Sequence, residues 1–170
     1  EQALVDRFIS LTTRLNESLE LQSDLSGPAL LAEESFAELV DGQRLQYLEL
    51  STEQVLLLQA LEIDDTSLRE KVVRTLTYFG EEMMGLIHLH QHGLKMLAAR
   101  QATDGTDADL IQAARFESER LQLSVTRLRG VVAQLDRLGG DTLEMRRTLI
   151  EERGSLALSL VDTDIASVLY

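Results

Sequence analysis

The stretch that decides the fold runs from Ser67 to Arg100 and reads SLREKVVRTLTYFGEEMMGLIHLHQHGLKMLAAR. Its apolar residues recur every three or four positions, which is the spacing of one face of an α-helix. The residues of this face are Val72, Leu76, Phe79, Met83, Leu86, Leu94 and Leu97. Ser67-x-x-Glu70 has the form of a capping box at the start of a helix. The pattern therefore predicts one long amphipathic helix at the centre of a helical bundle.

The same apolar spacing recurs on both sides of this central helix. It predicts four further helices, over about 1–25, 28–62, 106–138 and 141–160. Asp41-Gly42 could kink or interrupt the second of them, because a glycine inside a helix costs about 1 kcal/mol relative to alanine. Long helices joined by short turns favour antiparallel neighbours. We therefore expect an all-α, elongated antiparallel up-and-down bundle of four to five long helices, forming a single domain over 1–170.

Composition restricts the class of protein further. The 170 residues are 44% hydrophobic and 4% aromatic, with one Pro, no Trp and no Cys. This excludes a disordered chain, a disulfide framework, a cysteine zinc site and a thiol nucleophile. The sequence contains neither an apolar run of the roughly 18 residues that span a membrane nor a visible signal peptide. Since the chain begins at Glu1 rather than Met, we expect a processed or excised piece whose targeting or anchoring segment lies outside it.

The formal net charge of −13 argues against binding of nucleic acid or of an anionic lipid surface. The charge is unevenly distributed, with nine acidic residues and only one base, Arg44, between Glu33 and Asp65, and nine arginines between Arg100 and Arg153. One interpretation is two solvated faces that attract each other across the bundle. The other is an acidic docking surface for a basic partner.

The three histidines lie within five residues of the central helix, at His88, His90 and His92. On a helical wheel His90 falls on the apolar face, and His88 and His92 fall on the opposite side. We expect His90 to be a core or half-buried residue hydrogen-bonded to a polar group on a facing helix. Its alternative role is that of a pH-sensitive core residue, because protonation of the imidazole would charge the core.

His88 and His92 are four residues apart, a spacing that can chelate a divalent metal ion on one helix face. Two solvated histidines are the favoured interpretation, because a third ligand from another helix is required for a strong site. The neighbouring methionines leave a soft-metal site open as a further alternative; they are Met83, Met84 and Met96. The prediction is that the chain holds no metal and no cofactor.

Motifs of enzymatic chemistry are missing from the sequence. The Glu-x-x-His motif of di-iron bundles does not occur, and there is no G-x-S-x-G, P-loop or G-x-G-x-x-G. Gly139-Gly140 follows a predicted helix instead of a strand, so it is not a nucleotide-binding loop. We therefore predict a non-enzymatic protein without catalytic residues.

The C-terminal part resembles a segment of bacterial mechanosensitive channels of the small-conductance (MscS-like) family. The residues that carry the resemblance are Leu138-Gly139-Gly140-Asp141-Thr142, Arg146-Arg147-x-Leu149-Ile150, Gly154-x-Leu156, Leu160-Val161-Asp162-Thr163-Asp164 and Val168-Leu169. The resemblance implies a helical extramembrane region that precedes the membrane helices, a periplasmic location and a role next to a channel. The pore helix and cytoplasmic vestibule of the family are absent here, so the resemblance assigns no pore or gating residue.

These observations predict a non-enzymatic periplasmic helical domain of an inner-membrane protein, most simply the extramembrane region of a mechanosensitive-type channel. A ligand-binding sensor domain of a receptor kinase or chemoreceptor is one alternative, in which arginines would bind an anionic ligand; the candidates are Arg115, Arg120, Arg127 and Arg129. A soluble cytoplasmic scaffold or adaptor is the other. We expect protein partners or self-association through helical faces, contact with a membrane only through segments outside the chain, and no nucleic acid. The sequence identifies no small-molecule ligand.

Overall fold

The computed structural model describes residues 2–24, 33–105 and 108–159. These residues form five α-helices, which are α1 (Gln2–Asp24), α2 (Glu33–Ala60), α3 (Thr66–Asp104), α4 (Ala108–Leu138) and α5 (Leu143–Ser159). The described ranges contain no β-strand, so the predicted all-α helical bundle is confirmed. The predicted boundary between the first two helices, at about 25–28, and the last residues of the C-terminal resemblance, 160–170, lie outside the described residues.

The helices group into two compact units. Unit 1 comprises Glu1–Tyr78 with Ala133–Asp141, and unit 2 comprises Phe79–Val132 with Thr142–Tyr170. The first part of α3 therefore belongs to unit 1 and its remainder to unit 2. The first part of α4 belongs to unit 2, and its C-terminal end belongs to unit 1. That the whole chain acts as a single domain stays a prediction.

The core of unit 1 contains the contact between α1 and α2. Leu11 and Leu15 are buried together with Leu50 and Leu57, and their spacings of four and seven place each pair on one helix face. Partly buried hydrophobic side chains pack against this cluster, namely Leu4, Phe8 and Tyr47. Leucine burial of this kind stabilises the folded chain by roughly 1.5–3 kcal/mol per side chain, so the α1–α2 contact fixes α1 within unit 1.

The core of unit 2 is built from fully buried side chains of α3 and α4. Phe79 and Ile87 of α3 and Leu128 and Val131 of α4 are each 0% exposed. A smaller cluster of Leu110 and Ala114, with Leu97 and Ala98 against it, lies nearer the turn between these two helices. The α3 residues that the sequence assigned to the apolar face are all buried or half-buried, because the helix turns them to one side.

The N-terminus of α3 is capped by a residue other than the predicted one. The Asp65 carboxylate accepts the Leu68 backbone N–H at 2.9 Å, so Asp65 is the N-cap and the helix begins at Thr66. The predicted capping box Ser67-x-x-Glu70 is therefore wrong. Aspartate is at least as good an N-cap as serine, and capping by Asp65 makes the helix two residues longer than capping by Ser67 would allow.

The C-terminus of α4 ends in a Schellman motif. Gly139 has a positive φ of 70°, and the Gly140 N–H donates to the Leu135 carbonyl at 2.8 Å, which is the six-to-one hydrogen bond of that motif. The Arg69 guanidinium of α3 donates to the Leu138 carbonyl at 2.7 Å. The sharp break predicted at Gly139-Gly140 is thus formed by glycine at the left-handed position and by a cation at the helix end.

Helix α2 ends in the same way but without glycine. Glu62 has a φ of 60°, and the Ile63 N–H donates to the Leu58 carbonyl at 2.9 Å. A left-handed backbone costs a side-chain-bearing residue about 1 kcal/mol, so Glu62 carries strain that a glycine would not. Asp41-Gly42 neither ends nor interrupts α2, which continues through both residues from Glu33 to Ala60.

Helix α5 exposes both charged and apolar side chains. Arg147 donates to Glu151 at 2.9 Å, and this hydrogen bond, together with the charges of Glu151 and Glu144, raises the pKa of the Arg147 guanidinium. Leu143 and Ile150 are each 70% exposed and lie two turns apart on the helix. Among the described residues, no helix has an apolar stretch long enough to cross a bilayer.

Candidate functional site

His90 lies on the part of α3 that belongs to unit 2, facing α4. Its Nδ1 is 2.7 Å from Oε2 of Glu117 on α4, and the two side chains are 14% and 27% exposed, respectively. A carboxylate can only accept, so Nδ1 carries the hydrogen and donates it. His90 is therefore a half-buried histidine bonded to an acidic group on the facing helix. That its protonation acts as a pH switch stays a prediction.

The Glu117 carboxylate reaches His90 through a space that Gly93 leaves open. A Cβ at Gly93 would lie 2.9 Å from both Cδ and Oε2 of Glu117, which is closer than van der Waals contact allows. Gly93 follows His90 by one turn of α3, so the absence of its side chain lets the carboxylate approach the helix beside the imidazole. Sequence reasoning missed this residue; the only available signal was a glycine inside an otherwise strong helical pattern.

His88 and His92 are exposed on α3. Within the part of the chain that the structure describes, no three side chains of the His, Cys, Asp or Glu type gather into a metal-binding group. The methionines considered for a soft-metal site lie in different environments, since Met83 is 1% exposed and Met96 is 59% exposed.

The arginines that the sequence suggested for an anionic ligand differ in their surroundings. Arg127 is only 8% exposed, and the Arg120 guanidinium lies over the Phe116 ring, 4.9 Å from its centroid, at a distance typical of a cation–π contact. Arg115 and Arg129 are exposed on α4.

A different set of arginines lines a cleft in unit 1. The cleft has a volume of about 460 Å³ and lies among α1, α2 and the C-terminal end of α4. Its lining residues are Arg7, Ser10, Leu11, Arg14, Glu49, Leu50, Glu53, Leu57, Gln134 and Arg137. The volume falls in the range of small-molecule sites, roughly 300–1,000 Å³. The cleft combines a leucine floor with a charged rim.

Glu53 is the central charge of the cleft. Its carboxylate pairs with Arg137 of α4 and, at 3.7 Å, with Arg7 of α1. Arg137 also donates to Gln134 at 3.2 Å, so its guanidinium is held by two partners. The Glu53–Arg137 pair joins the acidic second helix to the arginine-rich C-terminal half, as the interpretation of two mutually attracting faces predicts.

Arg14 completes the charged rim from α1, where it follows Arg7 by two helical turns. It makes neither an ion pair nor a hydrogen bond with any described residue. With three arginines against two glutamates, the cleft carries a formal excess of one positive charge, in a chain whose net charge is −13. Sequence reasoning missed Arg7 and Arg14, although with Ser10 between them they form a polar stripe at helical spacing on α1.

Comparisons with protein-family models, with curated proteins and with solved structures give no match.

Proposed function

We propose that the chain is a non-enzymatic helical domain on the periplasmic side of the bacterial inner membrane, and that it forms the extramembrane region of a mechanosensitive-type channel. The observation that carries this proposal is the resemblance of the C-terminal stretch beginning at Leu138. In the structure this stretch starts with the Schellman turn at Gly139 and continues as α5. The domain performs no catalysis of its own in this proposal.

The architecture suits such a role because packed helices transmit small displacements along their length. Both units are built from helices of several turns with leucine-rich contacts. In the proposal, the turn at Gly139 holds the C-terminal end of α4, through its own hydrogen bonds and through the Arg69 contact.

Protein contacts are part of the proposal. Leu143 and Ile150 present two large apolar side chains to solvent on one side of α5, each 70% exposed. Exposed apolar pairs of this kind are suited to packing against another helix of the same membrane protein or of a second copy.

The location is tested by accessibility of a single cysteine in the parent membrane protein. The chain contains no Cys, so Lys95→Cys at an exposed position of α3 introduces the only thiol of residues 1–170, and any cysteine of the flanking segments is replaced by serine in both variants. We expect a membrane-impermeant maleimide to label it in cells whose outer membrane alone has been permeabilised. The matched control is Leu128→Cys at a fully buried position, which should label only after denaturation. Labelling of Lys95→Cys only after disruption of the inner membrane would contradict the periplasmic location and favour the scaffold.

The channel role is tested by patch recording from liposomes containing the parent protein. We expect membrane tension to open a conductance in the parent protein and empty liposomes to remain silent. A parent protein that gives no current under tension, or whose flanking sequences contain a kinase or methyl-accepting region, would overturn the channel proposal in favour of a receptor.

A further inference from the structure

We propose that the cleft of unit 1 binds a small organic carboxylate, with Arg14 and Arg7 holding the carboxylate and the leucine floor contacting the carbon chain. This inference does not depend on the channel proposal, because it concerns binding by the chain itself. It starts from a cavity in which cations from α1 and α4 converge over buried apolar side chains.

The first argument is the positive charge in the cleft that Glu53 does not neutralise. Glu53 already neutralises Arg137 and shares its charge with Arg7. The Arg7 contact of 3.7 Å is an ion pair too long for a hydrogen bond, so its five N–H donors remain open to a better acceptor. Arg14 has no acceptor among the described residues. Two guanidinium groups with unused donors therefore line the same cavity.

The second argument is the arrangement of these donors on α1. Arg7 and Arg14 are seven residues apart, which corresponds to roughly 10.5 Å along the helix axis, and Ser10 lies between them on the same face. Guanidinium groups bind carboxylates through two parallel hydrogen bonds. The Ser10 hydroxyl adds a second type of donor near the middle of the cleft. A planar anion fits this row of donors better than a cation or a neutral ligand does.

The third argument is the apolar floor. Leu11 and Leu50 line the cleft and are each 5% exposed, so each presents a small apolar surface to a cavity whose lining is otherwise polar. An inorganic anion gains nothing from such a surface, whereas a carbon chain of a few methylenes does. This selects an organic carboxylate over phosphate or sulfate.

Glu49 bears on whether the carboxylate bound in the cleft belongs to an amino acid or to a plain carboxylic acid. It lines the cleft without an ion pair to any described residue, so it can accept the ammonium of an amino acid or stay solvated beside a plain carboxylate. Glutarate and glutamate share a five-carbon backbone with two carboxylates and differ by that ammonium. Comparing their affinities therefore shows whether the cleft binds a plain carboxylate or an amino acid.

The experiment is a calorimetric titration of the 170-residue chain with glutarate, glutamate and phosphate. We expect saturable binding of at least one of the two carboxylates and weaker binding of phosphate. Arg14→Gln should weaken binding about tenfold or more, since it removes a charged hydrogen-bonding partner. The matched control, Arg115→Gln, removes the same charge from an exposed position of unit 2 and should leave the affinity unchanged.

The outcomes separate the proposal from general attraction of anions. Tighter binding of glutamate that is lost in Glu49→Gln supports the cleft as a site for an amino acid, and equal binding of the two supports a plain carboxylate. No saturation by either carboxylate, equal affinity for phosphate, or equal losses in Arg14→Gln and Arg115→Gln would each overturn the proposal. An unchanged far-ultraviolet circular dichroism spectrum of Arg14→Gln is expected, because Arg14 holds no described residue in place.

Discussion

Replacing Gly93 by alanine tests whether this position is kept open for the Glu117 carboxylate. A Cβ at position 93 would lie 2.9 Å from Cδ and Oε2 of Glu117. The carboxylate is the end of a flexible side chain, so it can move away, but in doing so it breaks the 2.7 Å hydrogen bond with His90. The expected loss is therefore the loss of this contact, without general disruption of the core.

The magnitude follows from two opposing effects. Alanine is favoured over glycine inside a helix by about 1 kcal/mol. A hydrogen bond to a charged group contributes about 1.5–3 kcal/mol, and partial exposure of Glu117, at 27%, reduces its loss to about 1–2 kcal/mol. We expect Gly93→Ala to change the free energy of unfolding by between zero and about −1 kcal/mol.

The matched control is Gly85→Ala on the same helix. Gly85 is exposed and a Cβ there meets no atom within 4 Å, so the substitution should raise the free energy of unfolding by about 1 kcal/mol. Urea denaturation followed by circular dichroism gives both values at a common slope. The difference between the two variants should be about 1–2 kcal/mol.

A double-mutant cycle with Glu117→Ala measures how much of the effect of Gly93→Ala depends on the Glu117 carboxylate. Once the Glu117 carboxylate is removed, Gly93→Ala should stabilise the chain as Gly85→Ala does, with a coupling energy of about 1–2 kcal/mol between positions 93 and 117. The reasoning is refuted if Gly93→Ala already stabilises the parent chain by as much as Gly85→Ala, or if its cost persists without Glu117.

Four further substitutions test the packing and the helix ends by the same urea denaturation. Leu76→Ala should lower the free energy of unfolding by about 2–5 kcal/mol, because Leu76 is 0% exposed, and a loss below about 1 kcal/mol would contradict its burial. Gly139→Ala should lower the free energy of unfolding by about 1 kcal/mol, because position 139 is left-handed. Glu62→Gly should raise the free energy of unfolding by up to about 1 kcal/mol. Effects of the same sign at the two sites would contradict the shared Schellman motif. Arg69→Leu removes the donor to the Leu138 carbonyl and should cost about 1 kcal/mol, with faster amide exchange in the last turn of α4; unchanged exchange there would show that the contact does not hold the helix end.

The sequence predicts the helices well because apolar periodicity is a local property. The central helix predicted over Ser67 to Arg100 is α3 (Thr66–Asp104), and the break at Gly139-Gly140 is present. The capping residue was predicted wrongly because Asp65 and Ser67 are both good N-caps within two residues of each other. The competition between them is decided by which side chain reaches a free backbone N–H, and the spacing of residues does not reveal this.

The candidate sites are less predictable because each depends on two or more helices. The wheel places His90 on the inner side of α3, but it cannot identify Glu117 as its partner, since nothing in the α3 sequence tells which face of α4 lies opposite. The role of Gly93 becomes visible only when that partner is known. Arg7 and Arg137 meet at Glu53 although they are distant in sequence, so charge counts along the chain could suggest attraction between segments without finding the cleft.

The polar contacts between helices also bear on the packing register of the helices, which apolar contacts alone define poorly in leucine-rich bundles. Apolar stripes with a spacing of three and four allow two helices to pack in nearly equivalent registers that differ by one turn, about 5.4 Å. A hydrogen bond or close ion pair does not survive such a slip, because its strength falls steeply beyond about 3–4 Å. In unit 1 the Glu53–Arg137 pair joins α2 to α4, and in unit 2 the His90–Glu117 bond joins α3 to α4. These partly exposed contacts therefore favour one register within each unit, which is the part that polar pairs play in helical proteins whose apolar faces do not define a register alone.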